Sequence, residues 1–87
     1  MLLVIDVGNT HITLGVFEKE ELKGTFRMTT RQSRTSDEYG ILMCNMLKYR
    51  GIRKELVDDV IISSVVPDVM HSLTSGVIKY FHTKPFH

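Results

Sequence analysis

Apolar and polar positions alternate along this chain in blocks whose period changes, and the changes mark the predicted elements. Leu2 to Ile5 is an unbroken apolar run, the pattern of a strand buried on both faces, and Ile12, Leu14 and Val16 then alternate with Thr13 and Gly15. Between the two lies a polar knot, Asp6-Val7-Gly8-Asn9-Thr10-His11, whose Gly8-Asn9 pair tolerates positive φ and predicts a chain reversal. After a charged turn at Glu18-Lys19-Glu20-Glu21, residues Leu22, Gly24, Phe26 and Met28 alternate with Lys23, Thr25, Arg27 and Thr29. That period of two predicts a third antiparallel strand at a sheet edge with one wet face. Outward charges limit edge-to-edge pairing, so Lys23 and Arg27 read as solubility devices rather than ligand contacts.

The period then changes to that of a helix. Thr35 and Glu38 have capping-box spacing, Tyr39, Leu42, Met43, Met46 and Leu47 form a helical stripe, and Gly51 is a left-handed stop, predicting a helix over Ser36 to Arg50. Met43, Met46 and Cys44 on that stripe read as core filler. Beyond a charged connector, Ile52 to Asp58, the run Val60-Ile61-Ile62 ending in Ser63-Ser64 predicts a second buried strand. A helix between two buried strands implies a right-handed crossover, so Val60 to Ser64 should lie parallel to Leu2 to Val7. Asp6 and Ser63-Ser64 would then stand side by side at the carboxyl edge of the sheet. Pro67 fits the first turn of another helix running to about Phe81, with Val69, Met70, Leu73, Val77, Tyr80 and Phe81 as its apolar stripe. Gly76 in that helix is either a weak point or a close-packing contact. His71 and His82 read as surface residues, and Thr83 to Phe86 as the start of a further element.

Composition narrows the class. With 87 residues and 43% hydrophobic content the chain is one small globular domain at most, burying only about two-thirds of its unfolded surface. A formal charge of +1, with no long run of one sign, points to neither nucleic acid nor an anionic membrane. The single cysteine closes no intrachain disulfide and there is no zinc spacing, which fits a reducing compartment, with the cytoplasm as the expectation. No stretch has the length of a membrane span, and the N-terminus lacks a signal-peptide pattern.

The chemistry sits in the polar knot. A carboxylate at a strand end, followed by a glycine that leaves the backbone accessible and then a hydroxyl, can meet a phosphate or its metal ion through backbone N–H groups, Thr10 and Asp6. The hairpin is neither a Gly-x-Gly-x-x-Gly turn nor a Walker A loop. At this level two readings stand: a phosphate hairpin, or an Asx-type turn that only joins two strands.

Asp6-Val7-Gly8-Asn9-Thr10, Thr35-Ser36-Asp37-Glu38-Tyr39 and Ser63-Ser64-Val65-Val66-Pro67, in that order, resemble the N-terminal domain of type III pantothenate kinases over essentially the whole chain. The resemblance implies an α/β fold, the N-terminal half of an actin-like ATPase (ribonuclease H-like) fold. Its mixed sheet would be a three-strand antiparallel meander with one parallel strand added after a helix crossover. It makes residues 1–87 an N-terminal ATP-phosphate-binding domain, and it implies ATP-dependent phosphorylation of pantothenate, the first step of coenzyme A synthesis. Carried over by motif, Asp6, Val7, Gly8, Asn9, Thr10, His11, Ile12 and Thr13 form the first phosphate-binding element. Asp6 lies near Mg2+, and Ser63 and Ser64 are candidate cleft lining. His11 stands where the family usually has Asn. The base, the second phosphate motif, the pantothenate motif and the K+ or NH4+ site would lie outside these residues, in a chain about three times as long. These 87 residues alone are therefore expected to be inactive. A homodimer is expected, with part of the Val65, Val66, Val69, Met70 and Phe86 cluster exposed where a second domain would sit. A regulatory relative of the same fold and a purely structural module are the alternative readings.

Overall fold

Strand β1 (Leu2–Val7) lies inside a four-stranded sheet in which β2 (His11–Glu18) and β3 (Glu21–Thr29) extend one side and β4 (Asp59–Ser64) the other, in the order β3-β2-β1-β4. The coordinates are a computed structural model and describe every residue except Gln32. β1 pairs antiparallel with β2 and parallel with β4, as the alternation and the crossover rule predict. Helix α1 (Ser36–Tyr49) makes the crossover and helix α2 (Pro67–Phe81) follows β4. The connector carries a 3-10 turn at Lys54–Leu56. Backbone bonds from Ile62 N to Phe86 O and from Phe86 N to Val60 O add a single parallel bridge outside β4.

One face of the sheet is buried and the other is open. Leu3, Ile5 and Val7 of β1, Ile12, Leu14 and Val16 of β2, and Val60 and Ile62 of β4 form one core with Tyr39, Met43 and Leu47 of α1 and Leu73, Val77 and Phe81 of α2. The strands' alternate residues project to the other side, where no element among the described residues covers them. β1 thus has one buried face, not the two that its apolar run suggested: Leu2 and Val4 on the second face are only half-buried. Leu22 also departs from expectation. A β-bulge between Val16/Phe17 and their partners makes Lys23 an extra residue, so Leu22 pairs with Phe17 on the open face and is 50% exposed. In the cluster expected to be exposed, Val65 (71%) and Phe86 (63%) are, whereas Val66 and Val69 are buried.

The helix ends follow local chemistry. Thr35 Oγ1 accepts from Glu38 N at 3.1 Å and Glu38 Oε1 accepts from Thr35 N at 2.9 Å, completing the capping box. Arg50 is the C-cap and Gly51 takes φ +73°. The two helices touch through glycines: a Cβ on Gly76 would stand 2.6 Å from the Ser36 carbonyl oxygen, and one on Gly40 would collide with the Tyr80 ring. Gly76 is therefore a close-packing contact. Asp37 locks the same seam, accepting from Lys79 Nζ at 2.7 Å and Tyr80 OH at 2.9 Å.

Two predictions follow from this seam. Gly76→Ala gains about 1 kcal/mol of helix propensity but forces the helix backbones apart, an overpacking that costs about 1–3 kcal/mol. The melting temperature should fall, and a thermal scan showing it raised would contradict the packing described. The second concerns acid. The hydrogen bond from Lys79, then that from Tyr80, holds the Asp37 carboxyl below its usual 3.8, and cap bonds to Thr35 hold Glu38 below 4.5. A carboxylate depressed by folding contributes stability above its unfolded pKa and loses it as pH falls through the folded value. Asp37→Asn should therefore flatten the loss of stability below about pH 4, by a small margin because the pair is exposed. Identical acid limbs for the two proteins in denaturant titrations would refute this.

Candidate phosphate site at the hairpin

The site begins with the strand register. Asp6 pairs with Thr13 on one side and with Ser63 on the other, and Thr13 pairs with Arg27 on β3. All four are exposed and, by alternation, lie on the open face, so the carboxyl end of β1 carries a polar row Ser63-Asp6-Thr13-Arg27. His11 and its partner Thr29 follow as the next pair along the same face. Val7 and Ile12 close the hairpin and are buried beneath it, so their side chains serve the core and only their backbone borders the site.

The hairpin tip is held from behind. Gly8 N donates to the His11 carbonyl at 2.9 Å, and a Cβ on Gly8 would approach that oxygen to 3.1 Å. A side chain at Gly8 would be tight against that oxygen, and neither Gly8 nor Asn9 takes a positive φ. Thr30 at the end of β3 donates its N–H to the Thr10 carbonyl at 2.9 Å and its hydroxyl to the Gly8 carbonyl at 2.8 Å. The carbonyls of Gly8, Thr10 and His11 are thereby engaged, while the N–H groups of Asn9 and Thr10 have no acceptor among the described residues. Two successive amides without an acceptor among the described residues, at an exposed turn next to a threonine hydroxyl, are a donor set that can meet an anion.

Asp6 is exposed on the open face, with no ion pair among the described residues. No group of three or more His, Cys, Asp or Glu side chains stands together among them, so the chain offers a metal ion one carboxylate and no cage. Ser63 lies in the row, but Ser64 is spent locally: its Oγ accepts from Val66 N at 2.9 Å and organises the entry to α2. Both serines line a hollow of about 450 Å3 with Ile62, Pro67, Met70 and His87. A second hollow, around Cys44, Lys48, Arg53 and Lys54, lies at the C-terminal end of α1, and burial pushes the Cys44 thiol up, away from nucleophilic use.

The crossover rule brought the hairpin and β4 together, but Thr30, in a stretch without periodicity, gave no sign that it holds the hairpin tip. Thr30→Val should loosen the tip without disturbing the core. The expected cost is about 1 kcal/mol from the lost side-chain bond, with faster amide exchange confined to Gly8 to His11. Exchange unchanged there would mean that Thr30 does not hold the hairpin.

The sequence model of the type III pantothenate kinase family matches residues 2–87. A type III pantothenate kinase of Agathobacter rectalis is 51% identical over 85 residues, covering 98% of this chain and 33% of that protein. Those of Bifidobacterium longum and Listeria monocytogenes are 46% identical with the same coverage. The chain spans about a third of the length of these curated relatives. A match over residues 2–87, on a fold consistent with the N-terminal half of an actin-like ATPase, places the chain in the type III pantothenate kinase family.

Proposed function

We propose that these residues form the ATP-phosphate-binding part of a pantothenate kinase that transfers the terminal phosphoryl group of ATP to pantothenate, giving 4'-phosphopantothenate for coenzyme A synthesis. The observation that carries this reading is that the amides of Asn9 and Thr10 have no acceptor among the described residues, in an exposed turn that follows an exposed Asp6 with no ion pair among them. Phosphoryl transfer depends on positioning and charge neutralisation rather than on covalent chemistry by the protein. The Asn9 and Thr10 amides and the Thr10 hydroxyl bind phosphate oxygens and fix their direction, and Thr30 keeps that cradle rigid. Asp6 would hold Mg2+, whose chemistry is to neutralise phosphate charge. One carboxylate with open positions fits an ion that keeps waters and substrate phosphates in its shell.

The rest of the reading concerns the longer protein. A base for the pantothenate hydroxyl, the pantothenate site and a K+ or NH4+ site belong to segments outside these residues, and residues 1–87 alone make half a cleft. The longer enzyme is proposed to be a cytoplasmic homodimer, and the exposed Val65 and Phe86 mark where its second half would sit.

In the full-length kinase that carries this segment, Asp6→Asn should lower kcat/KM for ATP by about 100-fold or more. Because Asp6 is exposed and has no ion pair among the described residues, the melting temperature should move by no more than about 2 °C. An unchanged kcat/KM would remove Asp6 from the site. A folded full-length protein with no phosphorylation of pantothenate in either form would favour the regulatory relative instead.

A further inference from the structure

The two basic residues of β3 have different surroundings. Lys23 Nζ lies 3.2 Å from Glu21 and 3.8 Å from Glu18, so its charge is neutralised within the turn. Arg27 has no ion pair or hydrogen bond from its guanidinium among the described residues. Its register neighbours on the open face are Thr13, directly across, and Thr25 and Thr29 along its own strand, with His11 on the diagonal. The only carboxylate in its row is Asp6, one strand further on. An edge arginine that serves only solubility could stand at any outward position of β3; this one stands at the register of the phosphate site.

We propose that Arg27 is a phosphate-binding residue, its guanidinium closing on the polyphosphate of a metal-bound nucleotide from β3 while Asp6 faces the metal from β1. Two strand spacings separate their Cα atoms by roughly 10 Å, with Thr13 between them. That gap is too wide for the short contact of a direct ion pair with both side chains upright, and none forms. It is spanned by a carboxylate, a cation at about 2.1 Å, a phosphate, and a charge-assisted hydrogen bond of about 2.8 Å. The guanidinium fork suits two oxygens of one phosphate, and the small Thr13 side chain leaves the space above the row clear. In the transfer step Arg27 would neutralise charge on the side of the phosphates away from Asp6. This inference rests on the ATP-phosphate reading of the hairpin and adds a residue to it.

The test is calorimetric titration of the full-length protein with Mg·ATP, Mg·tripolyphosphate and adenosine, comparing wild type, Arg27→Ala and Asp6→Asn. Arg27→Ala should weaken Mg·ATP and Mg·tripolyphosphate by at least about 10-fold, leave adenosine unchanged, and leave the melting temperature in place. Equal weakening of adenosine would mark a structural role and overturn the proposal. Full Mg·ATP affinity in Arg27→Ala, with loss in Asp6→Asn, would overturn it while the hairpin reading stands. No binding of Mg·ATP or Mg·tripolyphosphate by the wild type would overturn both.

Discussion

The two-sided pairing of β1 is the constraint on which the rest of the molecule depends. Because side chains alternate with a period of two, the register of β1 against β2 and β4 decides at once which residues enter the core and which reach the open face. A slip of one residue would bring Asp6 into the core and push Leu3, Ile5 and Val7 into water. Burial of those three residues, each 1% exposed or less, therefore fixes the position of Asp6 as firmly as any contact of its own could. The N-terminal ammonium of Met1, 2.8 Å from the Asp58 carboxylate, sets the start of the same register against β4.

Packing and chemistry are segregated by face. The helices press together through Gly40 and Gly76 and cover one side of the sheet, which leaves the other side free to carry charge. Along the open face, an apolar zone of Leu2, Val4, Phe17, Leu22 and Ile61 gives way to the polar row at the carboxyl end of β1. That end is where parallel α/β sheets bind ligands, since strand ends, turns and helix starts converge there. Thr30 links the two halves of the design by tying the end of β3 to the hairpin tip.

Most of this was legible in the sequence wherever a local rule governs the outcome. Alternation gave the strands, Thr35 and Glu38 gave the start of α1, Pro67 the start of α2, and the crossover rule placed β4 beside β1. What escaped depends on contacts between elements. The bulge at Lys23, which turns Leu22 to the open face, is a property of two strands meeting and leaves no mark in one. The collision that excludes a side chain at Gly40 involves Tyr80, far along the chain. The Thr30 staple and the placing of Arg27 likewise exist only once β3 is docked. The polar knot was read correctly as a turn, but positive φ plays no part in it: Gly8 has a negative φ and lies close to the His11 carbonyl.

Whether the hairpin amides receive phosphate is tested most directly by amide hydrogen exchange of the full-length protein with and without Mg·ATP. Slowed exchange at Asn9 and Thr10 is expected when Mg·ATP is added, with smaller changes at Thr13 and Ser63. Exchange at Asn9 and Thr10 that stays as fast in saturating Mg·ATP as without it would show that the hairpin is only a turn.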